Sequence, residues 1–294
     1  MRLVALGILG AATTAAGQTP TEGPLVVFVV NEPLRSLANR VGGDEVEVHF
    51  PAPRDVDPAH WSPDGETVAR FQAADLILRN GAGYDPWIDR ATLRTKTIVD
   101  TSASFRDELI ANGDPVHRHG SEGVHSHAET DFTTWLDPTL AAQQARAIAA
   151  ALAQRRPRAQ DAFEERTQGV VTEVEELDRR VAAAAQHLAG GAVLYSHPVY
   201  GYFDRRYGLG GRSLHWEPDQ DPSEDEWVAL DEMLRTQPAR LMLWEAKPLA
   251  ATEKRLAALG IRSVVFAPCG NCGVDWLAVT RANTERLEAA VADE

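Results

Sequence analysis

The chain has 294 residues, 44% of them hydrophobic and 24% charged, with a formal net charge of −14. That is enough apolar material for one large or two modest cores. The acidic balance argues against nucleic acid or an anionic membrane surface as partner and is compatible with a cationic ligand.

The N-terminal "MRLVALGILGAATTAAGQTP" has the layout of a secretory signal over residues 1–17. Arg2 leads, an apolar run follows from Leu3 to Ala12, and small residues reach Gly17. The alternative is a buried N-terminal strand or helix. The run is short for a membrane span, however, and the polar "QTPTEGP" behind it suits the start of a mature chain. No cysteine follows the run to carry a lipid, and no other segment approaches membrane-spanning length. The expectation is a periplasmic or otherwise exported protein, soluble after signal removal.

From Pro24 onward, short β-rich runs alternate with helical segments. "LVVFVV" (25–30) is a continuous apolar run and reads as a buried strand. "PLRSLANRVGG" reads as a helix stopped by glycine, and "VEVHF" (46–50) as a second strand. "SPDGETVARFQAA" starts with Ser62 and Pro63 as its capping pair and carries apolar residues at helical spacing. "DLILRNG" is a third strand, "DPWIDRAT" a short helix and "KTIVDTS" a fourth strand.

"HRHGSEGVHSH" (117–127) then gathers His117, His119, His125 and His127 into a glycine-spaced loop. Two His-x-His pairs can each put two imidazoles on one side of an extended chain, which suits zinc, copper or nickel better than calcium or magnesium. Taken one by one, these histidines read as weak, transient collectors of metal. Beyond the loop, one helix is expected from Pro138 to Leu152, with Asp137 as its cap. A longer one runs from Pro157 to about Leu188, with Phe163, Val170, Val174, Leu177 and Val181 on one face. "AVLYSH" (192–197), "RSLHWEP" (212–218), "RLMLWE" (240–245) and "SVVFAP" (263–268) read as strands, and a final helix spans about Trp276–Val291.

This pattern predicts an α/β fold with two similar lobes, each a mostly parallel sheet flanked by helices, joined by a long rigid connecting helix. The first lobe covers 24–135, with the histidine loop at 114–130. The helix pair covers 138–189 and the second lobe 190–294. Ligands of open α/β sheets sit at the C-terminal ends of strands. His197, His215, Glu217 and Glu245 stand at such ends and are the candidates for a cleft. Each also has a bland reading. His197 suits a hydrogen-bonded core histidine, Glu245 a salt bridge to an arginine or Lys247, and Trp216 with Glu217 a cleft wall. His215 is turned away if the strand alternation continues through it. Cys269 and Cys272, the only cysteines, suit a disulfide-closed turn, with a two-sulfur metal corner as the alternative. "DEWVALDEML" (225–234) reads as a solvated helix face.

The chain resembles the metal-binding solute receptors of ABC importers, the zinc/manganese class of periplasmic binding proteins. The matching stretches are "DPAHWSP" (57–63), "AADLILRNGAGYDPW" (73–87), "TTWLDP" (133–138), "SHPVYGYFDRRYGL" (196–209), "EPDQDPS" (217–223), "LWEAKPLAATEKRLAALGI" (243–261) and "RANTERLEAA" (281–290). They fall in the family's order across nearly the whole mature chain. The resemblance implies two lobes bridged by a rigid helix, and a metal held by four side chains, two from each lobe. His197 occupies the third of those positions. The first falls on Ala59, with His60 one place later and Trp61 beside it; the second falls on Thr133 and the fourth on Ala267. The site is therefore rebuilt, completed by the loop histidines, or lost.

The function so implied is an exported receptor that captures a divalent transition metal between its lobes. Zinc comes first, with manganese, copper and nickel as alternatives. The partners are the metal and the membrane permease of an ABC importer, with no nucleic acid, and the receptor is expected to be a monomer. The alternatives are a metal-dependent hydrolase, with Glu245 as its base, and a receptor-like metallochaperone whose site is lost or relocated. No serine elbow, phosphate loop or dinucleotide fingerprint supports another enzyme class.

Overall fold

A computed structural model of the protein describes residues 23–54, 56–111, 131–188 and 193–292. The proposed signal and the histidine loop, with His117, His119, His125 and His127, lie outside the described residues.

Two four-stranded sheets form the frame, and every strand pairing in them is parallel. The first contains β1 (Leu25–Val29), β2 (Val46–His49), β3 (Leu76–Arg79) and β4 (Ile98–Asp100) in the order β2-β1-β3-β4. The second contains β5 (Val193–Tyr195), β6 (Arg212–Ser213), β7 (Leu241–Trp244) and β8 (Arg262–Val265) in the order β6-β5-β7-β8. The second lobe thus repeats the topology of the first without a visible sequence repeat. The central strands β5 and β7 are buried at every position, which is why their sequences are unbroken apolar runs.

Local chemistry sets the helix ends. Helix α1 (Glu32–Gly42) begins where the Asn31 side chain accepts from the Leu34 N–H, has Pro33 in its first turn, and is followed by Gly43 at φ 55. Helix α2 (Gly65–Ala73) starts later than its sequence suggested. Its cap is Asp64, which accepts from the Thr67 N–H, so Ser62 and Pro63 lie ahead of the helix. The 85–92 segment forms successive turns instead of the expected helix, because the Asp85 carboxylate is drawn back to the end of β3 by Asn80 N and Arg79. Helix α3 (Pro138–Arg155) is capped by Asp137, as its sequence implied. Helix α4 (Gln160–Ala185) buries Phe163, Val170, Val174, Leu177 and Val181 along one face. The second lobe adds α5 (Gly201–Tyr207), α6 (Glu224–Thr236), α7 (Ala250–Ala258) and α8 (Trp276–Ala292). Helix α6 is not wholly solvated, since Trp227 and Leu230 are buried.

One apolar cluster runs from Val27 and Leu78 in the first sheet, through α3 and α4, to Val193 and Leu243 in the second. Arg40 also joins α1 to Glu173 of α4 and to Asp275 at the start of α8. Half-exposed ion pairs of this kind contribute about 0–1 kcal/mol each. The shared core therefore sets how the lobes stand in this structure. No described helix is long and apolar enough to cross a membrane.

Candidate metal-binding cleft

The loops leaving the C-terminal ends of both sheets enclose a cavity of about 400 Å³. Asp57, Tyr84, Thr133 and Trp135 line it from the first lobe; Val199, Glu245 and residues 267–272 line it from the second. Hydrogen bonds cross the cleft at its edges. Trp135 Nε1 donates to Pro268 O at 2.8 Å, Asn271 Nδ2 donates to Val56 O at 2.9 Å, and the Thr133 hydroxyl donates to Val199 O at 2.6 Å.

His197 stands two residues beyond β5, and Glu245 directly follows β7. These are adjacent central strands, so both residues sit at the point where the strand order switches direction, the usual ligand position in such sheets. His197 Nδ1 lies 3.1 Å from Glu245 Oε1, and His197 Nε2 lies 3.2 Å from Glu217 Oε1. The first contact is an ion pair at the buried Nδ1, which has no further partner among the described residues. Burial is the largest single influence on the His197 pKa and lowers it, but the Glu245 and Glu217 carboxylates together outweigh it and the pKa is raised. Among the described residues, Glu245 pairs with His197 and not with Lys247 or an arginine.

His215 and Glu217 reach this site because the β6 segment stops early. His215 has φ 59, a left-handed conformation that costs a non-glycine residue roughly 1 kcal/mol. The strand expected over 212–218 therefore pairs only at Arg212–Ser213. The turn sends Trp216 into the core, where its N–H donates to Ser196 O at 2.7 Å. His215 and Glu217, on either side of it, stay exposed, and the His215 ring stands edge-on to His197 at 6.1 Å. Period-two alternation could not have shown this. Among the described residues, no three His, Cys, Asp or Glu side chains converge closely enough to hold a metal by themselves. The physical reason is that the two glutamates flank opposite ring nitrogens.

The first lobe contributes little to that cluster. The His60 side chain is 60% exposed, with Nε2 3.9 Å from Asp57 Oδ2. Trp61 packs edge-on against Trp87 at 6.1 Å and is outside the cavity wall. Ala59 is buried. Thr133 and Ala267 do line the cavity, but Ala267 offers only its methyl group, and its backbone is clamped by Asn283 on α8. Cys269 and Cys272 are joined by a disulfide that forms part of the wall. Two lining residues, Asp57 and Tyr84, are not candidates on sequence grounds. Both sit in the family-like stretches, but nothing in their spacing marks them as facing a cleft.

The family of zinc-uptake complex component A, periplasmic (ZnuA), matches residues 27–290. The chain belongs to this family. It is thus a metal-binding, substrate-binding protein of the kind that serves ABC metal importers, a family of receptors rather than enzymes. Among its relatives is the metal ABC transporter substrate-binding lipoprotein SloC of Streptococcus mutans, 21% identical over 97% of this chain and 95% of that one. Another is the zinc-binding protein TroA of Treponema pallidum, 26% identical over 72% of this chain and 67% of that one. In fold, the chain is similar to the metal-dependent lipoprotein YcdH of Bacillus subtilis, with a TM-score of 0.76 at 20% identity, covering 90% of this chain and 99% of that one. This ZnuA-family chain therefore keeps the family's two-lobe frame.

Proposed function

We propose that this protein is an exported receptor that captures a divalent transition metal, zinc first, at a site anchored by His197, and delivers it to the permease of an ABC importer. The observation that carries this reading is His197 at the strand switch point, with a carboxylate within 3.2 Å of each ring nitrogen. One imidazole with carboxylates is a donor set that zinc accepts. The ZnuA family and the zinc-binding relative support the choice of metal. The site is a relocated one: Glu245 and Glu217, with His215 nearby, take over from the positions at Thr133 and Ala267.

Zinc titration of the apo-protein, followed by thermal melting, tests the reading. A ligand that binds only the native state adds about 2.7 kcal/mol at a hundredfold excess over its Kd. His197→Ala is expected to lose that stabilisation entirely. A variant stabilised as much as the parent would overturn the site. A parent that no divalent ion stabilises would overturn the receptor reading.

A further inference from the structure

We infer that Glu245 is a positioning residue and not a metal ligand: it holds the Nδ1 side of His197, so that Nε2 and Glu217 take the metal, outside the cavity between the lobes. This inference rests on the metal-receptor reading above and names the ring nitrogen and the carboxylate that the metal meets.

The two ring nitrogens differ in access. Nδ1 is buried, and Glu245 Oε1 at 3.1 Å is its one partner among the described residues. Nε2 stands 3.2 Å from Oε1 of Glu217, whose side chain is 52% exposed against 31% for Glu245. A metal arriving from solvent meets Glu217 and Nε2 first, and reaches Nδ1 only by displacing packed protein. The spacing at Nε2 also fits. Two donors, each about 2.0–2.1 Å from one tetrahedral zinc, stand about 3.3 Å apart. The metal takes the Nε2 lone pair and one Glu217 oxygen, water fills its remaining positions, and the ring proton stays on Nδ1.

The backbone fixes Glu245 for this role. It directly follows β7, which is buried at every position, and its N–H donates at 3.4 Å to the hydroxyl of Ser196, the residue before His197. A carboxylate held beside a neutral imidazole draws the ring proton to the nearer nitrogen and leaves a lone pair on the other. Glu217 pulls on the same proton from the Nε2 side, but it is the more exposed of the two and water screens it more. A carboxylate behind a histidine ligand fixes the ring's orientation and makes it a better donor. Glu245 also lines the cavity between the lobes, whereas His197, His215 and Glu217 do not. The glutamate that faces the cavity is therefore the one behind the ring, and the metal lies on the other side of the imidazole.

Ring-nitrogen NMR of the isotope-labelled full chain, apo and with zinc, tests this, with His197 assigned by its absence from His197→Ala. At about pH 8.5, two units above the ordinary histidine pKa, neutral apo His197 is expected to carry its proton on Nδ1. Zinc should shift Nε2 while Nδ1 keeps that proton. A neutral ring protonated on Nε2 would overturn the inference, as would zinc that shifts Nδ1 and removes its proton; zinc binding at His197 would leave the metal reading standing in both cases. Zinc that moves neither nitrogen would overturn both. Two alanine variants separate the carboxylates. Glu245→Ala should lose the Nδ1 preference and weaken zinc binding about 10- to 100-fold, whereas Glu217→Ala should weaken zinc binding and keep the tautomer. Glu245→Gln should restore the tautomer, since its amide oxygen still accepts from the Nδ1–H. Equal tautomer changes in the two alanine variants would overturn the division of roles.

Discussion

The two lobes share one strand order but place opposite chemistry at the same point of it. Two residues beyond the first strand of each lobe stand Asn31 and His197; directly after the third stand Asn80 and Glu245. In the first lobe, Asn31 Nδ2 donates to Asn80 Oδ1 at 3.2 Å, Gln144 Nε2 donates to the same oxygen at 3.3 Å, and Asn80 Nδ2 donates to Phe132 O at 3.0 Å. Both asparagines are fully buried. In the second lobe the pair is ionisable and partly open to water. Neutral amides satisfy one another in a low-dielectric interior, so they make a clasp. A histidine between carboxylates stays near solvent and has capacity left for a cation. One topology thus supplies a structural clasp in one lobe and the proposed binding site in the other.

Exchanging the behaviour of the two switch points would break this comparison. The largest expected effect is on the clasp. Asn80→Ala leaves buried amides unsatisfied, at about 1–3 kcal/mol each, and should lower unfolding stability by about 2–4 kcal/mol in a denaturant titration. Zinc affinity of the folded fraction should stay close to that of the parent. A large loss of zinc affinity would mean that the first lobe takes part in binding.

The glutamates should show the reverse. Glu245→Gln and Glu217→Gln are each expected to weaken zinc binding about 10- to 100-fold by calorimetry, the range seen when groups around a ligand are lost, with little change in unfolding stability. Unchanged affinity in both would leave His197 as an ordinary buried histidine.

The pH dependence sharpens the contrast. Because the carboxylates raise the His197 pKa despite its burial, a proton competes with the metal at higher pH than for an ordinary histidine near 6.5. Zinc affinity should therefore fall by up to about tenfold per pH unit, starting above pH 6.5, in competition titrations between pH 6 and 9. The sign for apo stability follows from the same shift. The imidazolium–carboxylate contribution is present below the unfolded pKa and is lost as pH rises through the raised folded one. Glu217→Gln should move the affinity break downward; an affinity flat across this range would remove histidine from the site. The smallest effect is expected from deleting residues 117–127, which should change equilibrium zinc affinity by less than about threefold if those histidines are weak collectors. A larger loss would make the loop a source of ligands.

Part of the candidate site was legible before any packing was known. His197 and Glu245 each follow an unbroken apolar strand, so the strand-end rule finds them. His215 and Glu217 were ambiguous, because continued strand alternation would have split their facing from the cluster. A single left-handed residue resolved that, and a histidine does not announce such a dihedral as a glycine would. His60 shows the converse: it sits next to the family's ligand slot, yet its side chain is largely in solvent. Tyr84 lies in a family-like stretch with no mark of its own, and only packing shows that its buried side chain reaches the cavity wall, its hydroxyl unpaired among the described residues.

By itself, the amino-acid sequence determined the buried parallel strands, most of the helices, the Asp137 cap and the family frame, because these follow from periodicity and from residues a few positions apart. Which side chains converge was decided only by the tertiary structure. The contact of His197 with Glu245 spans two strands, and the bond of Thr133 to Val199 crosses 66 residues of chain and both lobes. Such pairings depend on how the shared core seats one sheet against the other, and no local pattern records that distance.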